Sequence, residues 1–189
     1  MNLANTQIKQ EFDSDGYVAM YSFFEDNKIQ EIKNEIDRYI NDIVPNLPNH
    51  HVFYEDKSDK TTIKNLQQMF TYDDYFKKLI EESAIQEVAS FVLGEKAVPK
   101  NLQYFNKPAG VGKPTPPHQD GYYFMLKKHN AVTCWLALEK VDEENGCIHY
   151  VKGSHLDKEY RPHGKSNILG FSQGVTDFGN KNDKLNTVS

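Results

Sequence analysis

Arginine is almost missing from this 189-residue chain: Arg38 and Arg161 are the only two. Cysteine is as scarce, with Cys134 and Cys147 alone, and tryptophan occurs once, as Trp135. Each scarcity excludes something. With a net charge of −5 and lysines interleaved with carboxylates, the chain cannot build the clustered basic surface that a nucleic acid or an anionic membrane requires. No apolar run is long enough to span a bilayer, and no signal peptide is recognisable at the N-terminus, so a cytoplasmic protein is expected. Two cysteines without a CxxC spacing are expected to be buried thiols in a reducing compartment, a disulfide between them being left open. GxGxxG, GxxxxGK[ST] and GxSxG are all absent, which removes phosphate loops and the serine nucleophile elbow.

What is present is a globular balance, 38% hydrophobic and 12% aromatic, in a length that suits one domain over residues 1–189. Tyr17 to Met20 reads as a short strand after an Asp15-Gly16 turn, and Ser22-Phe23-Phe24-Glu25 fits a capping box. Ile29, Ile32, Ile36, Ile40 and Ile43 recur at three- and four-residue steps, which predicts an amphipathic helix ending before Pro45. The polar, proline-punctuated segment 44–62 reads as a loop with room for one short strand, and leaves His50 and His51 in solvent. Thr71 can cap a second helix through Tyr75, Phe76, Leu79 and Ile80. A third carries Ile85, Val88, Ala89 and Val92 to a stop at Gly94. Beyond residue 97 the texture changes. Residues 100–107, 131–141 and 147–151 read as strands, the last entered through a reversal at Asn145-Gly146. Helices first (about 22–95) and strands second (about 97–189) give an α+β order, with helices packed on a sandwich or barrel.

Within "PPHQDGYYF", His118 and Asp120 stand two positions apart. In extended backbone, such residues face the same side, so an imidazole nitrogen and a carboxylate oxygen could share one metal ion. A further histidine from a neighbouring strand would complete a 2-His-1-carboxylate triad, the usual site for non-haem Fe(II).

The surrounding motifs raise this pair above a chance match. "F...DGYVAMYSFF", "NKPAGVGKPTPPHQDGYYF" and "CWLALEKVDEENGCIHYVKGSH" occur in the order and spacing of the phytanoyl-CoA dioxygenase family of Fe(II)/2-oxoglutarate oxygenases, which the chain resembles over nearly its whole length. The resemblance implies a double-stranded β-helix (a cupin-like jelly roll) braced by the N-terminal helices. It implies His118 and Asp120 as iron ligands, and Lys64, Gln103 and Trp135 as residues facing 2-oxoglutarate. For Trp135 core packing is the competing reading, and for Lys64 a solvated surface position. Tyr122 and Tyr123 line a substrate pocket or pack the sandwich. The family's "GSH" histidine is not a ligand, so His149 and His155 stay outside the metal site, and His129 and His163 read as loop residues.

The family also implies a third ligand, a histidine on a later strand, and an arginine beyond it that clamps the cosubstrate. No histidine follows His163 and no arginine follows Arg161, so the jelly roll is expected to lack its last strands. Exposed sheet edges would then favour a homo-oligomer. The expected activity is hydroxylation of a small organic substrate, with decarboxylation of 2-oxoglutarate to succinate. Asp120 occupies the position that a halide needs in halogenating relatives. The rival is a catalytically inactive jelly-roll module that binds a small ligand or a partner.

Overall fold

A computed structural model describes residues 3–125, 130–157, 159–168 and 171–189; His129 lies outside them. The chain opens with a helix that the sequence reading had not placed, α1 (Leu3–Asp15). Gly16, at φ +85°, ends it, and its amide donates to the Phe12 carbonyl at 2.9 Å. A Cβ at this glycine would stand 2.5 Å from His155 Nδ1, so both the backbone angle and the neighbour demand glycine. The strand expected at Tyr17–Met20 does not form; these residues are irregular and lead into a turn at Tyr21-Ser22. Nor does the capping box. Glu25 is the N-cap of α2 (Asp26–Arg38) without a side-chain cap bond, and Ser22 sits at φ +52°.

The isoleucine stripe behaves as its spacing predicts. Ile32 and Ile36 are buried on α2, and the helix passes through a π turn at Tyr39–Ile43 into a 3₁₀ turn at Val44–Asn46. A three-stranded antiparallel sheet follows, in the order β1 (Val52–Tyr54), β2 (Ile63–Leu66), β3 (Tyr104–Phe105). Between β2 and β3 lie α3 (Met69–Tyr72), α4 (Asp74–Glu81) and α5 (Ala84–Leu93). Thr71 falls inside α3, and the cap of α4 is Asp73, whose carboxylate accepts from the amides of Tyr75 and Phe76. Gly94 ends α5 at φ +74° and returns its amide to Ser90 and Phe91.

The strand-rich half departs most from expectation. Residues 131–141 form no strand, and of 147–151 only β4 (Tyr150–Val151) does. After α6 (Asp120–Phe124) and β4 come β5 (His163–Lys165), β6 (Gln173–Val175), α7 (Lys181–Asn186) and β7 (Thr187–Val188). β5 pairs antiparallel with β6, and β4 with β7. Among the described residues the sheets are small and none closes on itself. The architecture is α+β as expected, without the continuous strands of a complete jelly roll.

One cluster dominates the interior: Ile32, Ile36, Tyr39, Val44, Ile63, Leu66, Met69, Phe76 and Leu79. Among the described residues, Phe171 is the only buried hydrophobic side chain after Val92. The second half leans on this core through Leu102, Tyr104, Leu136 and Leu138. Among the described residues, no helix is long and apolar enough to cross a membrane.

Candidate metal centre

His118 and Asp120 sit where an extended segment turns into a helix. Gln119 is extended (φ −115°, ψ 117°) and Asp120 is the first residue of α6, so the pair does not lie on one continuous strand. Their side chains meet nonetheless, with His118 Nε2 3.0 Å from Asp120 Oδ1. The other ring nitrogen, Nδ1, is 2.8 Å from the Pro116 carbonyl oxygen. A carbonyl only accepts, so Nδ1 carries the proton and Nε2 is turned toward the carboxylate.

A neutral imidazole would then aim a lone pair at another lone pair. Something positive must lie between them, either a proton or a cation. In the protein alone a proton fills this role. Burial disfavours a charged His118, but the hydrogen bonds to Asp120 and Pro116 outweigh it, and the imidazole pKa rises above its usual 6.5. The His118 contact, seconded by Thr133, holds the Asp120 carboxyl below its usual range against the opposing effect of burial. Thr133 Oγ1 donates to Asp120 Oδ2 at 2.5 Å, which fixes the carboxylate's rotation. An octahedral ion with bonds near 2.1 Å sets adjacent donors about 3.0 Å apart, so the observed spacing suits such an ion. The Nδ1–carbonyl bond and the hydroxyl on the carboxylate are the supports that metal-ligating side chains commonly use.

Sheet pairing carries this segment into place. The Val175 amide donates to the Pro117 carbonyl at 2.8 Å, laying residues 116–117 along β6. Gly174 permits the approach, since a Cβ there would meet Pro116 Cβ and the Pro117 oxygen at 3.2 Å. His163, read from sequence as a loop residue, belongs to β5. Its ring stacks on Tyr122 at 3.9 Å, and its Nε2 accepts from the Gln119 amide at 3.4 Å. Its Nδ1 lies 2.7 Å from the Arg161 carbonyl, so both ring nitrogens are occupied. Tyr123 hydrogen-bonds the Gln173 carbonyl, and Phe171 lies against the His118 ring at 4.9 Å. Both tyrosines thus pack α6 onto the β5–β6 hairpin.

The other residues named from the sequence have surroundings of their own. Lys64 is no surface lysine; its side chain is 4% exposed and its ammonium meets Glu55 at 2.8 Å. Gln103 is exposed at the residue preceding β3, its amide oxygen accepting from buried Asn65 at 3.0 Å. Trp135 is 46% exposed, in a run with no regular structure. Arg161 binds Asp183 through two nitrogens, at 2.8 and 3.1 Å, and Asp177 through a third. His155 Nε2 lies 3.0 Å from the Asp13 carbonyl, tying the "GSH" segment to α1. Thr133 has no signal in the sequence and His163 reads there as a loop residue, because their contacts join distant positions with no local pattern to mark them.

The sequence profile of the phytanoyl-CoA dioxygenase family matches residues 12–173. Peroxisomal phytanoyl-CoA dioxygenase of Bos taurus is 23% identical over 202 residues, which cover 99% of this chain and 59% of the bovine protein. A phytanoyl-CoA dioxygenase domain-containing protein 1 homolog of Caenorhabditis briggsae is 25% identical over 191 residues, covering 80% of this chain and 65% of its own. The chain thus spans about three-fifths of the length of these relatives. Among solved structures, EctD from S. alaskensis with 2-oxoglutarate and 5-hydroxyectoine superposes with a TM-score of 0.48 and 17% identity, over 57% of this chain and 36% of that one.

Proposed function

The chain belongs to the phytanoyl-CoA dioxygenase family, and from that premise we propose that it serves an Fe(II)- and 2-oxoglutarate-dependent dioxygenase that hydroxylates a small organic substrate. The observation that carries the reading is the 3.0 Å approach of His118 Nε2 to Asp120 Oδ1, with Nδ1 anchored on Pro116. Iron bound there, with 2-oxoglutarate and O₂, would supply an oxidant strong enough to take hydrogen from carbon, leaving succinate and CO₂. His118 and Asp120 would hold the ion on adjacent corners. Thr133 would keep the carboxylate in the rotamer that presents Oδ1. The His118 proton would leave as the ion enters. A carboxylate at position 120 fills the corner that a halide would need, which favours hydroxylation over halogenation. The fold that suits this chemistry is the jelly roll, with the β5–β6 hairpin and the 116–120 segment as part of its wall.

The cosubstrate fits less well. Lys64 is neutralised by Glu55, and Arg161 is spent on Asp177 and Asp183. No step is therefore assigned to either cation. That engagement favours a second reading, a ligand-binding module without turnover. A cytoplasmic setting, in keeping with free Cys134 and Cys147, is part of the proposal; relatives named as peroxisomal do not share it.

Anaerobic calorimetric titration with Fe(II) tests the centre. One ion per chain is expected, weakly held by two side chains, and lost in both His118→Ala and Asp120→Asn. Binding undiminished in both variants would overturn the assignment. Iron-dependent formation of succinate from 2-oxoglutarate then separates enzyme from binding module.

A further inference from the structure

A second set of metal-ligand atoms converges outside this centre, on the turn before β4. Glu143, Cys147 and His149 each offer one ligand atom, all within 4.8 Å of one another. His149 Nε2 is 3.6 Å from Cys147 Sγ and 3.3 Å from a Glu143 carboxylate oxygen. The turn holds them together. Gly146 takes φ +86°, the Cys147 amide donates to the Asp142 carbonyl at 3.0 Å, and Lys107 Nζ donates to the Gly146 carbonyl at 2.6 Å. Cys147 and His149, two apart, then face the same way, and Glu143 closes from the other arm.

We propose that Glu143, Cys147 and His149 form a binding site for a thiophilic divalent cation of the zinc type, separate from His118 and Asp120. Tetrahedral zinc, with bonds of about 2.3 Å to sulfur and about 2.0–2.2 Å to nitrogen and oxygen, spaces sulfur from nitrogen by roughly 3.5 Å and nitrogen from oxygen by roughly 3.4 Å. The observed 3.6 Å and 3.3 Å separations match those edges. In the protein alone the Cys147 thiol and the His149 ring both face the Glu143 carboxylate, and one cation at the centre of the three would replace those contacts with direct ligation. On binding, the Cys147 S–H bond gives way to a sulfur–metal bond and the proton leaves to solvent. Water would complete the fourth corner, because Glu143 and His149 are exposed. Donor chemistry divides the two centres: a thiolate and an imidazole select zinc-like ions, while the harder His118–Asp120 pair suits Fe(II).

Cobalt(II) is the probe, since thiolate ligation gives it a charge-transfer absorption that imidazole and carboxylate do not. The full chain titrated with Co(II) is expected to develop this band at one equivalent, to retain it in Cys134→Ser and His118→Ala, and to lose it in Cys147→Ser. A band that is absent in the parent chain, or that disappears with Cys134→Ser instead, overturns the proposal. A reading on the unmodified chain avoids dependence on any variant's folding: Zn(II) is expected to slow iodoacetamide alkylation of Cys147, resolved by peptide mass, by roughly tenfold as the thiolate is occupied. An alkylation rate at Cys147 unchanged by Zn(II) also overturns it.

Discussion

Lys64 and Glu55 meet at 2.8 Å with side chains 4% and 3% exposed, a buried ion pair between β2 and the end of β1. Glu55 also accepts from the Lys113 amide at 3.2 Å, so one carboxylate joins the first sheet to the proline-rich approach to His118. Breaking a buried pair by removing one partner leaves the other charge without compensation, at a cost of about 3–5 kcal/mol. Lys64→Met is therefore expected to lower unfolding free energy by about that amount. The double variant Lys64→Met/Glu55→Gln should recover most of it. Urea denaturation of the four proteins measures the coupling, and additive losses would contradict the ion-pair account.

The same pair sets a pH dependence. Burial opposes the charge on Glu55, but Lys64 and the Lys113 amide prevail and lower its pKa below 4.5. A depressed folded-state value means stability that is complete above about 4.5, the ordinary carboxylate value, and lost as pH falls through the lower value in the folded protein. Midpoints of urea unfolding should decline on acidification below that point. The Glu55→Gln variant, weaker at neutral pH, should show a shallower decline over the same range.

Thr133 is expected to matter to the proposed metal centre without touching the metal. Removing its hydroxyl frees Asp120 to rotate, and outer-shell supports of this kind are worth about 10–100-fold in metal affinity. Thr133→Val should weaken Fe(II) binding by about tenfold, and Thr133→Ser should leave it nearly intact. Equal affinities for Val and the parent in anaerobic titration would remove Thr133 from the site.

Gly16→Ala tests the contact between α1 and the segment after β4. An alanine at φ +85° carries a left-handed penalty of about 1–2 kcal/mol, and its methyl would collide with the His155 ring. Thermal unfolding should shift down. Hydrogen exchange should rise at Gly153, whose amide donates to the Asp15 carbonyl at 2.8 Å. A variant as stable as the parent would mean that this junction is looser than its geometry.

Legibility in the sequence divides along the physics. Helix α2 was readable because isoleucines at helical spacing report the face a helix buries, and Gly94 because a left-handed stop favours glycine. α1 was not, since Ile8 and Phe12 are too few to make a stripe. The alternation in 131–141 reported apolar positions but not a strand, because a ladder needs a partner and among the described residues none pairs with it. Leu136 and Leu138 reach the core without one. The His118–Asp120 contact was foreseen from their spacing, though by a same-face argument that the turn into α6 replaces. Lys64 and Arg161 are the instructive pair: a cation's type is visible in a sequence, but whether a carboxylate has already claimed it is not.

The uneven core has a thermodynamic consequence. Heat-capacity change on unfolding follows apolar burial, and among the described residues the buried apolar side chains lie before Gly94 with the exception of Phe171. The half that carries His118 and Asp120 combines partly buried apolar and ring contacts with hydrogen bonds and ion pairs, and its opening is expected to carry the smaller calorimetric signature. A bound cation would join Gln119's two neighbours across the turn into α6 and stabilise the closed form in proportion to its occupancy. In that half of the molecule, the ligand would act as the core.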